Sequence, residues 1–166
     1  MKRLLGAAVL LAAVMALGVA AAAAGTGGTT RPFKGTLTGF ATFLPDPSCP
    51  IGLRTNSAGS GTANHLGVVS MTSTHCTPAT DLLQGGQMTL VAANGDELYS
   101  TYSGTSGPFP EVGGVILAPS HNVIVGGTGR FAHATGEADF TVFVTFAGFG
   151  VPVWPVTWAW DGTISY

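Results

Sequence analysis

From Phe33 onward the chain alternates apolar and polar residues in short runs, and Gly or Pro interrupts each run before a helical period can develop. Phe33, Leu37, Ala41 and Phe43 share one face of an extended segment, with Lys34, Thr36 and Thr38 on the other, which predicts a strand over Phe33–Phe43. Leu44–Pro50 carries three prolines and reads as a loop, because each proline removes a ladder donor. Leu53–Ser60 and Thr62–Thr74 read as successive strands broken at Gly61. Gln87–Ala93 and Glu97–Ser103 flank Asn94-Gly95, the dipeptide that a type I′ hairpin turn favours. Val112–Leu117, Asn122–Val125, Glu137–Phe149 and Val151–Trp160 follow, with Thr163–Tyr166 as a closing segment. Eight or nine strands and no long amphipathic helix predict one all-β domain over residues 33–166, a small antiparallel barrel of about eight strands, with a β-sandwich as the alternative. Residues 25–32 read as a flexible lead-in.

Two strands carry apolar residues beyond the alternation. Phe140, Val142, Val144 and Phe146 face one way while Phe143 and Phe149 face the other, the pattern of a strand covered on both sides by an outer layer or a second copy. Trp154, Val156, Trp158 and Trp160 share one face of the last long strand.

The 166 residues average 46% hydrophobic and 8% charged, but the first two dozen hold much of the apolar excess. Met1-Lys2-Arg3, the apolar run Leu4–Val19 and the small residues Ala20–Ala24 form the order of a secretory signal peptide, with cleavage expected after Ala22-Ala23-Ala24. The rival is a retained anchor, since about 20 apolar residues span a bilayer, but the small-residue exit favours cleavage and leaves no stable membrane anchor. Secretion, or release into a periplasm, is expected. Beyond the leader, Arg31, Lys34, Arg54 and Arg130 face eight acids. Four scattered cations exclude a nucleic-acid binder that relies on a basic patch.

Cys49 and Cys76 would then meet an oxidising compartment, and one disulfide is the expected outcome. His75 adjoins Cys76, but neighbours in a strand point to opposite faces, so no Cys/His nucleophile is expected. The histidines at 65, 75, 121 and 133 lack metal-ligand spacing, and no metal or cofactor is expected. Glu137 and Asp139, two apart, read as a solvated strand entrance. Gly127-Thr128-Gly129-Arg130-Phe131-Ala132 matches a dinucleotide fingerprint in letters only, because Gly136 arrives before a crossover helix could form. A tight turn built on Gly126, Gly127, Gly129 and Gly136, tied by Arg130 to carbonyls or to Asp96 or Glu137, is the reading that fits.

Four blocks carry a resemblance: Gly61–Gly67, Ala92–Leu98, Gly126–Gly136 and Asp161–Tyr166. Together they resemble a group of exported bacterial proteins of unassigned activity. The strand followed by Gly-Gly-Thr-Gly-Arg-Phe is also similar to the allene oxide cyclase and dirigent barrels, eight-stranded antiparallel barrels of the calycin kind. That resemblance implies a calycin-like fold over about Gly35–Tyr166 and places no catalytic residue of those enzymes on this chain.

Two functions follow as expectations. The first is an exported, non-enzymatic barrel that binds a small apolar ligand or serves as a scaffold, with Trp154, Trp158 and Trp160 lining the site and Tyr99 or Glu97 offering a polar contact. The second is a cyclase, isomerase or dirigent-like guide of an apolar substrate. Cell-surface interaction and oligomer formation also stay open.

Overall fold

The computed structural model describes residues 28–166; the leader and its cleavage site lie outside the described residues. The strands are β1 (Arg31–Pro45), β2 (Leu53–Ala63), β3 (Gly67–Cys76), β4 (Leu82–Val91), β5 (Glu97–Thr105), β6 (Val115–Leu117), β7 (Ser120–Gly127), β8 (Thr135–Thr145) and β9 (Val153–Ser165). All pairings are antiparallel. The order β9-β1-β2-β3-β4-β5-β7-β8 returns to β9, so eight strands close a barrel and leave no open edge. The short β6 pairs with the upper half of β8 in the register that β7 continues below it. These two are one strand interrupted at Pro119, which has no N–H to give the ladder. The β8–β9 ladder likewise stops at Val144–Val156, one residue short of Pro155.

Several boundaries differ from the sequence reading. Strand β1 begins at Arg31, two residues earlier, because Arg31 and Pro32 pair with Ile164 and Thr163. Gly61 stays inside β2 opposite Leu37, and the chain reverses instead at Asn64–Leu66, where His65 adopts a positive φ of 67°. The hairpin at Asn94-Gly95 is present, but Ala92 and Asp96 close it and only Gly95 has positive φ, so it is not a type I′ turn. The Asn94 amide instead bonds the Asp96 carboxylate at 2.8 Å, a local side-chain turn. Asp161-Gly162 does not end β9; both residues remain in the ladder. Strand β8 stops at Thr145, which leaves Phe149 in a loop. Phe143 is 42% exposed, so the covered outer face expected of β8 is absent within a single chain.

Inside, aromatic side chains are accommodated by glycine. Trp160 lies across Gly35, where a Cβ would enter its ring, and Trp158 lies across Gly59. Phe140 stacks on Trp160 with centroids 4.9 Å apart, and Phe33 tilts against its other side. The two ends differ. At one, the turns 64–66 and 92–96 and the 3₁₀ turn Gly129–Phe131 are closed by Phe131, Ile164 and Leu66, all almost fully buried. Arg130 holds this end: its guanidinium donates to the His65 carbonyl at 2.6 Å and lies 3.6 Å from the Asp96 carboxylate, as expected, while Glu137 is not its partner. Gly129 has φ 53°, and any Cβ there would collide with that same carboxylate. At the other end, loops 46–52, 77–81, 106–114 and 146–152 meet, and Cys49 and Cys76 form the expected disulfide.

Candidate functional site

The lumen near the disulfide end has two unlike walls. On β2, β3, β5 and β7 the inward phase carries Thr55, Ser73, His75, Tyr102, Ser120 and Asn122, all buried or half-buried. On β8, β9 and β1 the same level carries Phe140, Val142, Val144, Val156 and Phe43. Polar groups therefore face apolar ones across a narrow barrel, and Phe43, Leu83, Val142 and Val144 remain only partly covered at the rim.

A bulge positions the central member of the polar wall. Gln84-Gly85 on β4 oppose one residue of β5, Gly85 takes φ 66°, and the register shift sets Gly86 opposite Tyr102. The Tyr102 ring then occupies the space a Cβ at Gly86 would need. Its hydroxyl bonds His75 Nδ1 at 2.8 Å, and the two rings meet edge to face. Burial pushes the phenol up to about 12, with the Ser73 hydroxyl acting weakly the other way. Burial, and secondarily the Arg54 charge, lowers the His75 imidazole to about 4. At neutral pH the pair is an uncharged phenol on an uncharged imidazole. Asn122 is 1% exposed, yet its nearest partners are Ser120 Oγ at 3.4 Å and Met88 Sδ at 3.8 Å. Both contacts are long, so this buried amide retains hydrogen-bonding capacity.

Over the rim sits a second, smaller core of Ile116, Phe146 and Trp154, joined to the first through Phe43 and Val144. The Trp154 indole N–H donates to the Val151 carbonyl at 2.9 Å, and its ring meets Phe43 at 4.6 Å and Phe146 at 5.0 Å between centroids.

The residues expected from sequence separate in space. Trp154, Trp158 and Trp160 do share the inward face, but Trp158 and Trp160 are 4% and 5% exposed in the main core, and only Trp154 reaches the rim cluster. Glu97 and Tyr99 lie on the outer face of β5 and bond each other, which raises the Tyr99 phenol; they do not meet the tryptophans. Two depressions of about 440 Å³ each lie on the outer wall on either side of Phe40, lined mainly by Thr and Ser. Glu137 and Asp139 are exposed and flank His121, whose Nδ1 lies 2.8 Å from Asp139 Oδ1. Among the described residues no cluster of His, Cys, Asp and Glu could hold a metal.

Comparison with protein-family models, curated proteins and solved structures finds no match.

The site carries its own pH signature. An unfolded histidine titrates near 6.5, whereas folded His75 titrates near 4, so between these values the unfolded chain binds the proton that the folded one refuses. Stability is complete above pH 6.5 and falls by up to about 1.4 kcal/mol per pH unit as pH drops toward 4. Urea unfolding of the parent and of His75→Gln across this window should show the slope only in the parent. The Asp46 carboxyl, held down to about 2 by Ser48 and Arg54, acts in a separate and lower window.

Proposed function

We propose that the protein is an exported, non-enzymatic barrel that binds a small apolar molecule bearing one uncharged hydrogen-bonding group, at the disulfide end of its lumen. The observation that carries this reading is the buried Asn122 amide with only long partners, set in a polar wall that faces Phe43, Val142 and Val144. An apolar ligand body gains from contact with the partly covered rim, and one polar atom can engage Asn122 or Tyr102. Among the described residues no cation faces the lumen; Arg54, the nearest, lies on the outer phase of β2 and is paired with Asp46. A carboxylate would be left uncompensated there, so a ketone, ester or alcohol is the matching head group.

The test uses 2-dodecanone, lauric acid and dodecane against the purified protein, read by quenching of tryptophan fluorescence and by native mass spectrometry. The ketone should bind at least tenfold tighter than the acid. Asn122→Leu, near in size, should weaken the ketone by about tenfold, the worth of one hydrogen bond. No binding of any member by a folded protein would refute the reading.

A second reading, a cyclase or isomerase, draws support from the His75–Tyr102 pair, since a neutral phenol can donate to a developing oxyanion and the imidazole can take up a proton. Recovery of a bound ligand with altered connectivity, lost in Tyr102→Phe, would favour it over simple binding.

A further inference from the structure

Large apolar side chains are left uncovered at the disulfide end. Phe149 is 77% exposed, Val112 69%, Phe109 55%, Leu44 52%, Ile51 45% and Val151 41%. Two loops meet in space, since Phe109 and Phe149 touch at 5.1 Å between ring centroids and both rest on the buried Phe146, while Leu44 lies at the end of β1 and Ile51 in loop 46–52 at the same end. Val112 and Val151 converge over Gly148. Single exposed apolar residues need no explanation, but a cluster fed by two loops marks a contact surface.

We propose that this end docks reversibly on an uncharged or zwitterionic lipid–water interface, with the rings of Phe109 and Phe149 entering the boundary between headgroups and acyl chains. Three features favour lipid over a protein face. The rings project from loop tips, and a fluid acyl region accommodates projecting rings without a matching socket, whereas a stable protein interface needs about 800 Å² of complementary surface on each side.

Part of the tip backbone also lacks free donors. Phe109 stands between Pro108 and Pro110, and Val151 precedes Pro152, so three N–H groups are absent where water would be withdrawn. Six of the ten prolines fall in loops at this end, at positions 47, 50, 78, 108, 110 and 152. The N–H of Gly113 donates to the Phe146 carbonyl and that of Phe146 to Gly114, which knits the two loops together. Backbone groups entering a lipid boundary are best satisfied internally or missing, and the three prolines together with the N–H groups of Gly113, Gly114, Phe146 and Val151 meet that requirement.

Charge selects the lipid. Arg54 is the one cation among the described residues near this end, and it is occupied by Asp46; Asp81 and Glu111 add exposed negative charge. Anionic headgroups would repel this surface, and zwitterionic ones would not. The docking surface stands on the exposed loops and does not depend on what the lumen binds, although both lie at the same end.

Flotation of the exported, disulfide-intact protein with phosphatidylcholine vesicles tests the inference. The parent should float, with Trp154 fluorescence quenched by brominated acyl chains, and binding to phosphatidylglycerol vesicles at low salt should be weaker. Phe109→Ser combined with Phe149→Ser should reduce partitioning at least tenfold while leaving the unfolding midpoint and dodecanone binding near the parent values. Absence of flotation, equal flotation of parent and variant, or preference for anionic vesicles would each overturn it. So would a parent that sediments as a dimer without vesicle binding and becomes monomeric in the variant, since the surface would then be an interface between copies.

Discussion

Trp158→Ala is expected to destabilise the protein by roughly 3–5 kcal/mol, the range for deleting a buried aromatic. Trp158 is 4% exposed, sits between Leu37 on β1 and Val142 on β8, and reaches across the lumen to Gly59 on β2, where a built Cβ would lie 3.0 Å from the ring. The residue the ring covers has no side chain and cannot fill the space left behind. In a chain of this size the midpoint of thermal unfolding should fall by on the order of 10–20 °C. A lumen tryptophan beside an open site would cost far less, since its free side has no contacts to lose. Calorimetry of Trp158→Ala and Trp154→Phe separates the two roles. The first should be severe, whereas the second should be mild in stability and visible mainly in dodecanone affinity. A mild Trp158→Ala would mean that the lumen is not filled as described. Trp160 behaves differently in one respect: its indole N–H is buried without a partner, so Trp160→Phe removes an unsatisfied donor and should cost less than its lost size implies.

Period-two alternation made the inward faces legible. The tryptophan face of β9, the faces of β1 and the Phe140–Phe146 phase of β8 follow from it directly, because a closed barrel leaves each strand only an inside and an outside. The same rule separates Tyr99 from Tyr102. Three apart, they must face opposite ways, and Leu98 marks the even positions of β5 as the buried phase. Tyr99 and Glu97, expected beside the tryptophans, bond each other on the outer wall instead. The signal for His75 was equally local, since it shares its phase with Val69, Met71 and Ser73.

Register was not legible, and the rest depends on it. Whether a tryptophan fills the core or opens onto a cavity is decided by what stands opposite, here Gly35 and Gly59, and strand pairing alone puts them there. The extra residue at Gln84-Gly85 that sets Tyr102 over Gly86 leaves no periodic trace. Neither do the loops that carry Phe109 and Phe149 together, because their contact is made by chain segments 40 residues apart.

Loss of the disulfide is the second large effect expected. Cys49 and Cys76 close a span of 27 residues, and the chain-entropy relation assigns such a loop roughly 3–4 kcal/mol. Titration of the unreduced, denatured protein should find no free thiol. Cys49→Ser/Cys76→Ser should then lower the unfolding free energy in urea by that amount, with a larger slope m because the unfolded chain is no longer cross-linked and exposes more surface. Part of the effect is local as well as entropic. The bridge holds loop 46–52 against the end of β3, where Asp46 accepts from Ser48 and Arg54, and Cys76 directly follows His75. Cys49 is 5% exposed, so a serine hydroxyl in its place would also be cut off from water. Freed of its tie, the end of β3 should let His75 reach water and titrate closer to its ordinary value. The acid-side loss of stability between pH 6.5 and 4 should therefore shrink in the double variant. A variant equal in stability to the parent would deny the bridge its structural role. A variant destabilised with the His75 slope intact would show that the bridge acts on the unfolded chain and leaves the polar wall undisturbed.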